Sequence, residues 1–405
     1  MKTIQLKLWV ALWFLYSSCL LLLSHFSAFK LLGVPTMTPS FADLRFITTS
    51  VDCYLNGNWS MSGMSCDPWG RPFNYPSLWI RLFALFRLGE SQTIILGSIE
   101  IVILSASLIY WTRWAFRRLE SPAQKSFFPF LVFLIFFSPP ILLLAERGNV
   151  DILIFAGVTL AYIVYRKYNF FIAGFLIAFL GILKLYPFLA LVSFFERERK
   201  KSHFFLLLTF GFFGFLSLLS EIQLIALRSV NDWNSISYGV SVLPLLVMKG
   251  AFSPNTKIWA AVLGALVLFI LAIFITGLKS NRLENSIKRT LSRHTWDRGA
   301  PLISLIFVGS FLSGTAYDYR LVTLIPVLFI LFVSTRSYTS TGLMLIVTFI
   351  SMYFGHLTSQ FGRFGLFLNA TGDMTITLIV ALLISVYIDR LFVAVHTRRK
   401  LDVQN

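Results

Sequence analysis

Long, all-round apolar runs recur from Leu6 to Leu391, and that repetition leaves few folds open to the chain. A helix with a single apolar stripe packs against a core, whereas one apolar on every side needs lipid or other helices around it. Hydrophobic residues fill 57% of the 405 positions and charged residues 13%, too lopsided for a soluble domain of this length. The pattern predicts an all-α polytopic membrane protein, with residues 1–405 forming a single integral-membrane domain.

A bundle of about twelve spans accommodates the runs. They fall at 8–29, 91–111, 127–145, 150–165, 169–184, 185–195, 203–220, 257–278, 300–316, 321–334, 341–357 and 374–390. The net charge of +17 then acquires a topological meaning. Arg113/Arg117/Arg118, Arg197/Arg199/Lys200/Lys201, Lys288/Arg289/Arg293 and Arg398/Arg399/Lys400 all fall on one side, the cytoplasmic side of the positive-inside bias. Both termini are expected there, in a multi-pass protein of the cell's inner or plasma membrane. The basicity is accounted for without nucleic acid. A signal peptide is the other reading of the first run, given Lys2 and Lys7. The run's length and the lack of a small-x-small cleavage site favour an uncleaved span.

The loops are of two kinds. Cytoplasmic ones are short and basic, while external ones mix acids, aromatics, Gly and Pro. The largest external loop covers about 30–90, and within it Trp79–Leu88 reads as an interfacial helix with Arg81 and Arg87 toward the headgroups. A second interfacial helix is expected near Glu221–Gly250. Cys53 and Cys66 share the first loop, where oxidation is permitted. A loop-closing disulfide is one reading and two unpaired thiols the other, while Cys19 lies in a span. Asn58-Trp59-Ser60 and Asn369-Ala370-Thr371 have the form of glycosylation sequons, triplets that also arise by chance.

One stretch breaks the length rule. Only about 28 residues separate Arg166/Lys167 from the Arg197–Lys201 cluster, where two straight crossings need about 40. The chain must turn below the outer surface near Lys184-Leu185-Tyr186-Pro187. Irregular backbone at that depth is tolerated only against protein or a wet cavity. These short, re-entrant segments predict an extracytoplasmic cavity cut into the bundle.

Polar side chains gather on the same side. Asp43 follows the first span and reads either as a solvated helix-capping residue or as a functional acid. Arg71 and Tyr75 sit in Arg71-Pro72-Phe73-Asn74-Tyr75-Pro76, an interfacial aromatic belt or the mouth of the cavity. The tight turn Glu146-Arg147-Gly148-Asn149-Val150-Asp151 offers a self-satisfied Glu–Arg pair or inward-facing Asn149 and Asp151. An acid facing lipid near the bilayer centre would cost roughly 2.5–3.5 kcal/mol, so Asp151 should face the cavity or pair with Arg147 or Lys184. Lys184 either snorkels outward or offers a cation to an anionic group, with Tyr186 beside it. At a later turn, Tyr317-Asp318-Tyr319-Arg320 either pairs its own charges or holds phosphate and sugar. His356 ends another span as an interface residue or a site residue. Neither a Walker nor a dinucleotide glycine pattern appears, nor His/Asp/Glu spacing typical of a metal site, so neither cofactor nor metal is expected.

The order of an Asp after the first span, NYPSLW, RGNVD, KLYP and YDYRL resembles the C-type (GT-C) integral-membrane glycosyltransferases. Within these it is similar to the polyprenyl-phosphate-mannose-dependent α-1,2-mannosyltransferase group, glycosyltransferase family 87. After Asp43 the chain reads Leu-Arg-Phe-Ile, where that group often has aromatics leading into small residues. The resemblance implies a GT-C-like bundle and an inverting hexosyltransferase of the cell envelope. Its partners would be membrane lipids, a polyprenyl-phosphate sugar donor, mannose most readily, and a lipid-linked or glycan acceptor. It also implies Asp43 as general base and Arg147, Lys184 and Arg320 as candidates for the lipid phosphate, with no cofactor beyond the donor. The alternative is a transporter or flippase of lipid-linked sugars, against which stand the one-sided polar residues and the absence of an internal repeat.

Overall fold

The computed structural model describes residues 2–25, 29–30, 34–60, 66–167, 169–194, 209–216, 219, 221, 237–242, 244, 254–277, 299–313 and 316–404. The protein is an all-α membrane protein. Its helices are α1 (Lys2–His25), α2 (Ala42–Leu55), α3 (Leu78–Leu85), α4 (Thr93–Phe116), α5 (Pro122–Phe136), α6 (Pro139–Arg147), α7 (Asp151–Lys167) and α8 (Phe170–Leu183). They continue as α9 (Pro254–Gly277), α10 (Ala300–Leu312), α11 (Ile325–Ser334) and α12 (Tyr338–Gln404). A two-residue antiparallel ladder joins β1 (Ser237–Tyr238) to β2 (Ala316–Tyr317).

Among the described residues, five stretches are long and apolar enough to cross a membrane alone: Lys7–Ser24, Glu90–Phe116, Pro122–Arg147, Tyr338–His356 and Phe367–Val386. Shorter apolar helices cover Phe170–Leu183, Trp259–Ile275 and Ala300–Leu312. The stretch expected as a span at 185–195 is instead a nine-residue 3-10 helix, Tyr186–Phe194. At about 2 Å per residue it spans some 18 Å, well short of a 30 Å hydrocarbon layer. The segment 321–334 is likewise divided, into a 3-10 helix at Asp318–Leu324 followed by α11. Half of 203–220 and most of the segment Glu221–Gly250 lie outside the described residues.

Local chemistry explains the breaks. Ser121 and Gln124 form a reciprocal capping box that starts α5, with Pro122 at its first position. Pro139 and Pro140 restart the chain as α6 after Ser138, since neither ring nitrogen can donate to a continuing helix. α8 begins at Asn169, whose side chain accepts from the Phe171 amide at 2.8 Å. It ends at Leu183, with Lys184 in extended backbone three residues before Pro187.

The interior is built around α10, where every residue from Ala300 to Phe311 is buried. The 3-10 helix Tyr186–Phe194 packs along it. α12 is helical along Tyr338–Gln404 yet cannot be straight. A Cβ built on Gly372 would lie 3.2 Å from Cβ of Phe354 and 3.5 Å from the Ile350 carbonyl oxygen. A straight helix would separate residues 354 and 372 by roughly 27 Å. The chain therefore doubles back between them, and α12 supplies two antiparallel limbs.

Candidate active site

α2 carries Asp43 in its first turn, and Phe41 before it fixes where that turn lies. Phe41 adopts left-handed backbone, φ 62°, and its amide donates to the Glu146 carbonyl at 3.2 Å. Its ring fills a slot made by two glycines. A Cβ on Gly97 of α4 would collide with that ring, and one on Gly148 would lie 3.0 Å from it. Gly148, with φ 57°, also closes α6 in the left-handed conformation that glycine adopts without strain. The slot presses the start of α2 against the α6–α7 turn and brings Asp43 to Asn149.

The Asp43 carboxylate is held at both oxygens. Oδ2 accepts from the Asn149 amide at 2.7 Å, and Oδ1 from the Arg71 guanidinium at 2.9 Å. The same Asn149 nitrogen also donates to the Tyr75 hydroxyl at 2.9 Å, and the Asn149 carbonyl accepts from the Asp151 amide at 3.0 Å. Arg71 is fixed in turn. Asp67 takes its Nε and Nη2, both at 3.1 Å, and the Ala42 carbonyl takes Nη2 at 2.8 Å. A disulfide between Cys53 of α2 and Cys66 ties Asp67, the next residue, back to the helix that carries Asp43. Asp43 keeps 12% of its side-chain surface exposed and Arg71 31%, so the pair is not fully enclosed by protein.

A second ionic centre lies alongside. Asp151 opens α7 and is completely buried. Lys184 donates to its Oδ2 at 2.8 Å, Tyr186 to its Oδ1 at 3.0 Å, and the Arg320 Nε stands 3.5 Å away. Two cations for one carboxylate leave a surplus positive charge. The Lys184 ammonium also sits 5.1 Å from the centre of the Tyr75 ring, so Tyr75 touches both centres. Burial above all, and then the nearby Asp43 and Asp151 charges, hold the Tyr75 phenol well above its ordinary range, so it remains a hydrogen-bonding OH. Tyr319, in the electrostatic reach of Asp43 and Tyr75, is buried and raised for the same first reason.

Three candidates lie differently from the rest. Arg147 turns away from Asp151 to Glu146 Oε2 at 2.9 Å and the Pro35 carbonyl at 3.2 Å, while Glu146 Oε1 accepts from the Met37 amide. Asp318 does not pair with Arg320 but faces His356 Nε2 at 3.4 Å. Burial pushes the Asp318 carboxyl up to about 8, which makes this contact neutral rather than ionic at pH 7. The backbone of Tyr317 pairs with Ser237 in the ladder, and its side chain lies outside the described residues. Trp79 of α3 is buried, with its indole donating to the Leu183 carbonyl at 3.0 Å, so the interfacial helix docks onto the end of α8 while Arg81 and Arg87 stay exposed.

The model of glycosyltransferase family 87 matches residues 73–284, just over half of the chain. The chain belongs to glycosyltransferase family 87. No curated protein and no solved structure matches it. The family 87 match takes in Tyr75, Asn149, Asp151, Lys184 and Tyr186, while Asp43, Arg71 and the 318–320 turn lie outside its limits.

Sequence reasoning passed over several polar residues of this glycosyltransferase. Asp67 is the buried anchor of Arg71, and an acid four residues before an arginine in Cys66-Asp67-Pro68-Trp69-Gly70-Arg71 was the available signal. Glu100 is 3% exposed within the apolar helix α4 and in electrostatic reach of Asp43. Asp373, on the second limb of α12, is 5% exposed, and Asn369, singled out in the sequence only as part of a sequon, is 1% exposed there. An ionisable residue inside an apolar span is by itself a pointer to function.

Proposed function

We propose that this glycosyltransferase moves a hexose, mannose first among the candidates, from a polyprenyl-phosphate donor to a lipid-linked or glycan acceptor. The site opens on the extracytoplasmic side, with both termini cytoplasmic. The observation that carries the reading is a fixed carboxylate, Asp43, joined through Asn149 and Tyr75 to a buried centre with excess positive charge, Lys184 and Arg320 on Asp151. Base and cations together are what a transfer from a sugar phosphate needs.

In this mechanism an acceptor hydroxyl approaches Asp43, which takes its proton as the oxygen attacks the anomeric carbon. The new C–O bond forms as the bond from that carbon to the phosphate oxygen breaks, with inversion. The electron pair leaves with the polyprenyl phosphate. Arg71 and Asn149 hold the carboxylate in one orientation, so little reorganisation is needed at the moment of proton transfer. Lys184 and Arg320 stabilise the growing charge on the leaving phosphate, Arg320 through its planar fork. Arg147, occupied by Glu146, is set aside from this role. The placement of Asp43 in the first turn of α2 adds the positive end of the helix dipole to its carboxylate.

The orientation draws on the positive-inside distribution of Lys and Arg. Testing the activity requires purified protein, radiolabelled polyprenyl-phosphate hexoses and a total lipid extract as acceptor. Transfer by the parent and none by an Asp43→Asn variant that melts cooperatively would support the reading. Equal turnover by Asp43→Asn would remove Asp43 as the base, and a parent that consumes no donor would remove the donor class.

A further inference from the structure

The reversal of α12 creates a polar cluster that the mechanism above leaves unused. Gly372 rests on Phe354, Ile350 and Gly355 of the first limb, so the neighbours Asp373 and His356 come to the same level of the two limbs. Asn369 and Asp373 are four residues apart on a helix and share a face. Both are more than nine-tenths buried, yet Asn369 Nδ2 and Asp373 Oδ2 have no hydrogen-bond partner among the described residues. Asp373 is within electrostatic reach of Asp318, which faces His356 at 3.4 Å. Asp318 opens the same 3-10 helix whose Arg320 reaches Asp151, so the cluster adjoins the cationic centre.

A buried amide N–H and a buried carboxylate oxygen are costly to leave unpaired, and two on one face point to something that pairs them when present. The described cations of the site gather on Asp151 and Asp43 instead. The cluster therefore presents hydrogen-bond donors and acceptors without the positive charge that a phosphate requires. Vicinal hydroxyls, each both donor and acceptor, match a carboxylate next to an amide. The sequon form of Asn369-Ala370-Thr371 does not account for Asn369, since a side chain 1% exposed within a helix is closed to a modifying enzyme.

We propose that Asn369 and Asp373, beside the Asp318–His356 pair, form a subsite for the hydroxyls of a neutral hexose ring. The inference rests on the polyprenyl-phosphate-hexose reading above and divides the site by chemistry, with phosphate toward Lys184 and Arg320 and sugar toward α12. The ring can belong to the donor or to the acceptor.

Equilibrium binding to the purified full-length protein separates these cases. The probes are polyprenyl phosphate, polyprenyl-phosphate mannose, and methyl α-mannoside added over saturating polyprenyl phosphate. Asp373→Asn and Asn369→Leu are compared with the parent, and a thermal melt accompanies each; either variant alone suffices if the other does not fold. Loss of about tenfold in affinity for polyprenyl-phosphate mannose, the scale of one hydrogen bond, with bare polyprenyl phosphate unchanged, assigns the donor hexose to the subsite. The same loss for methyl α-mannoside alone assigns the acceptor. Unchanged affinities for both sugar-bearing probes overturn the subsite. Failure of the parent to bind either lipid overturns the donor reading instead, and the subsite falls with it.

Discussion

The Lys184 ammonium lies 2.8 Å from the Asp151 carboxylate, at the meeting of two helix ends. Asp151 is the first residue of α7 and Lys184 follows the last residue of α8, so each charge sits at the helix terminus that favours it. Both are buried, and removing Lys184 leaves Asp151 with the Tyr186 hydroxyl and the more distant Arg320 Nε at 3.5 Å. We expect Lys184→Met to destabilise the protein by about 3–5 kcal/mol, the usual cost of breaking a buried pair. Lys184→Met combined with Asp151→Leu and Arg320→Leu removes all three charges together and should recover much of that loss in a detergent melt while remaining inactive. A triple variant no more stable than Lys184→Met would show that these charges are not what holds the helix ends together.

Replacing Asp43 separates chemistry from architecture. Asparagine keeps the shape but has a single acceptor oxygen, so it can accept from Arg71 or from Asn149 and not from both, and the melting temperature should fall modestly while the protein stays folded. Turnover should fall by about 10²–10⁴, the range of general-base contributions. Tyr75→Phe deletes only the hydroxyl that Asn149 contacts, and we expect a loss of about tenfold or less. Comparable losses in the two variants would contradict the assignment of proton transfer to Asp43.

How far the site was legible depended on the kind of signal each residue left. The all-α membrane class followed from unstriped apolar runs, and the turn at Lys184–Pro187 from a length too short for two crossings. Asp43, Asn149, Asp151, Lys184 and Arg320 stand at chain turns, where a polar residue is conspicuous against apolar flanks, and they come together in space. Partners were less legible than members. Which cation reached Asp151 depended on the packing of the 318–324 helix beside α7, which periodicity does not encode, and Arg147 was taken up by Glu146 next to it. Asp373 was hidden for another reason. Its importance arises from the reversal within α12, and two helical limbs in sequence give no sign of which faces meet.

The disulfide between Cys53 and Cys66 should act on activity through Arg71. Asp67, adjacent to Cys66, fixes the guanidinium that fixes Asp43. Cross-links that close loops of this size contribute about 3 kcal/mol in the chain-entropy account. The Cys53→Ser/Cys66→Ser variant should melt lower, and its residual activity should fall further than that of a variant equally destabilised elsewhere, such as Trp111→Phe. Equal activity losses at matched stability would mean that the cross-link stabilises the loop without positioning Arg71.

Asp318 should give stability a recognisable pH dependence. Burial raises its carboxyl to about 8, above the value near 3.9 of an unfolded aspartate. Below the lower value both states hold the proton, so Asp318 contributes no difference. As pH rises from there to about 8, the unfolded chain releases a proton that the folded protein retains, and folded stability falls through that window. Above about 8 both states are ionised and the slope vanishes. His356 faces the carboxyl and Asp373 lies in its electrostatic reach, so their ionisation can add to the observed curve. Asp318→Asn should remove the Asp318 part alone. The measurement is the melting temperature from pH 4 to pH 9 for parent and variant, with a flatter profile expected for Asp318→Asn. Parallel profiles would show that Asp318 ionises in the folded protein as readily as in water, and would displace it from the buried contact with His356.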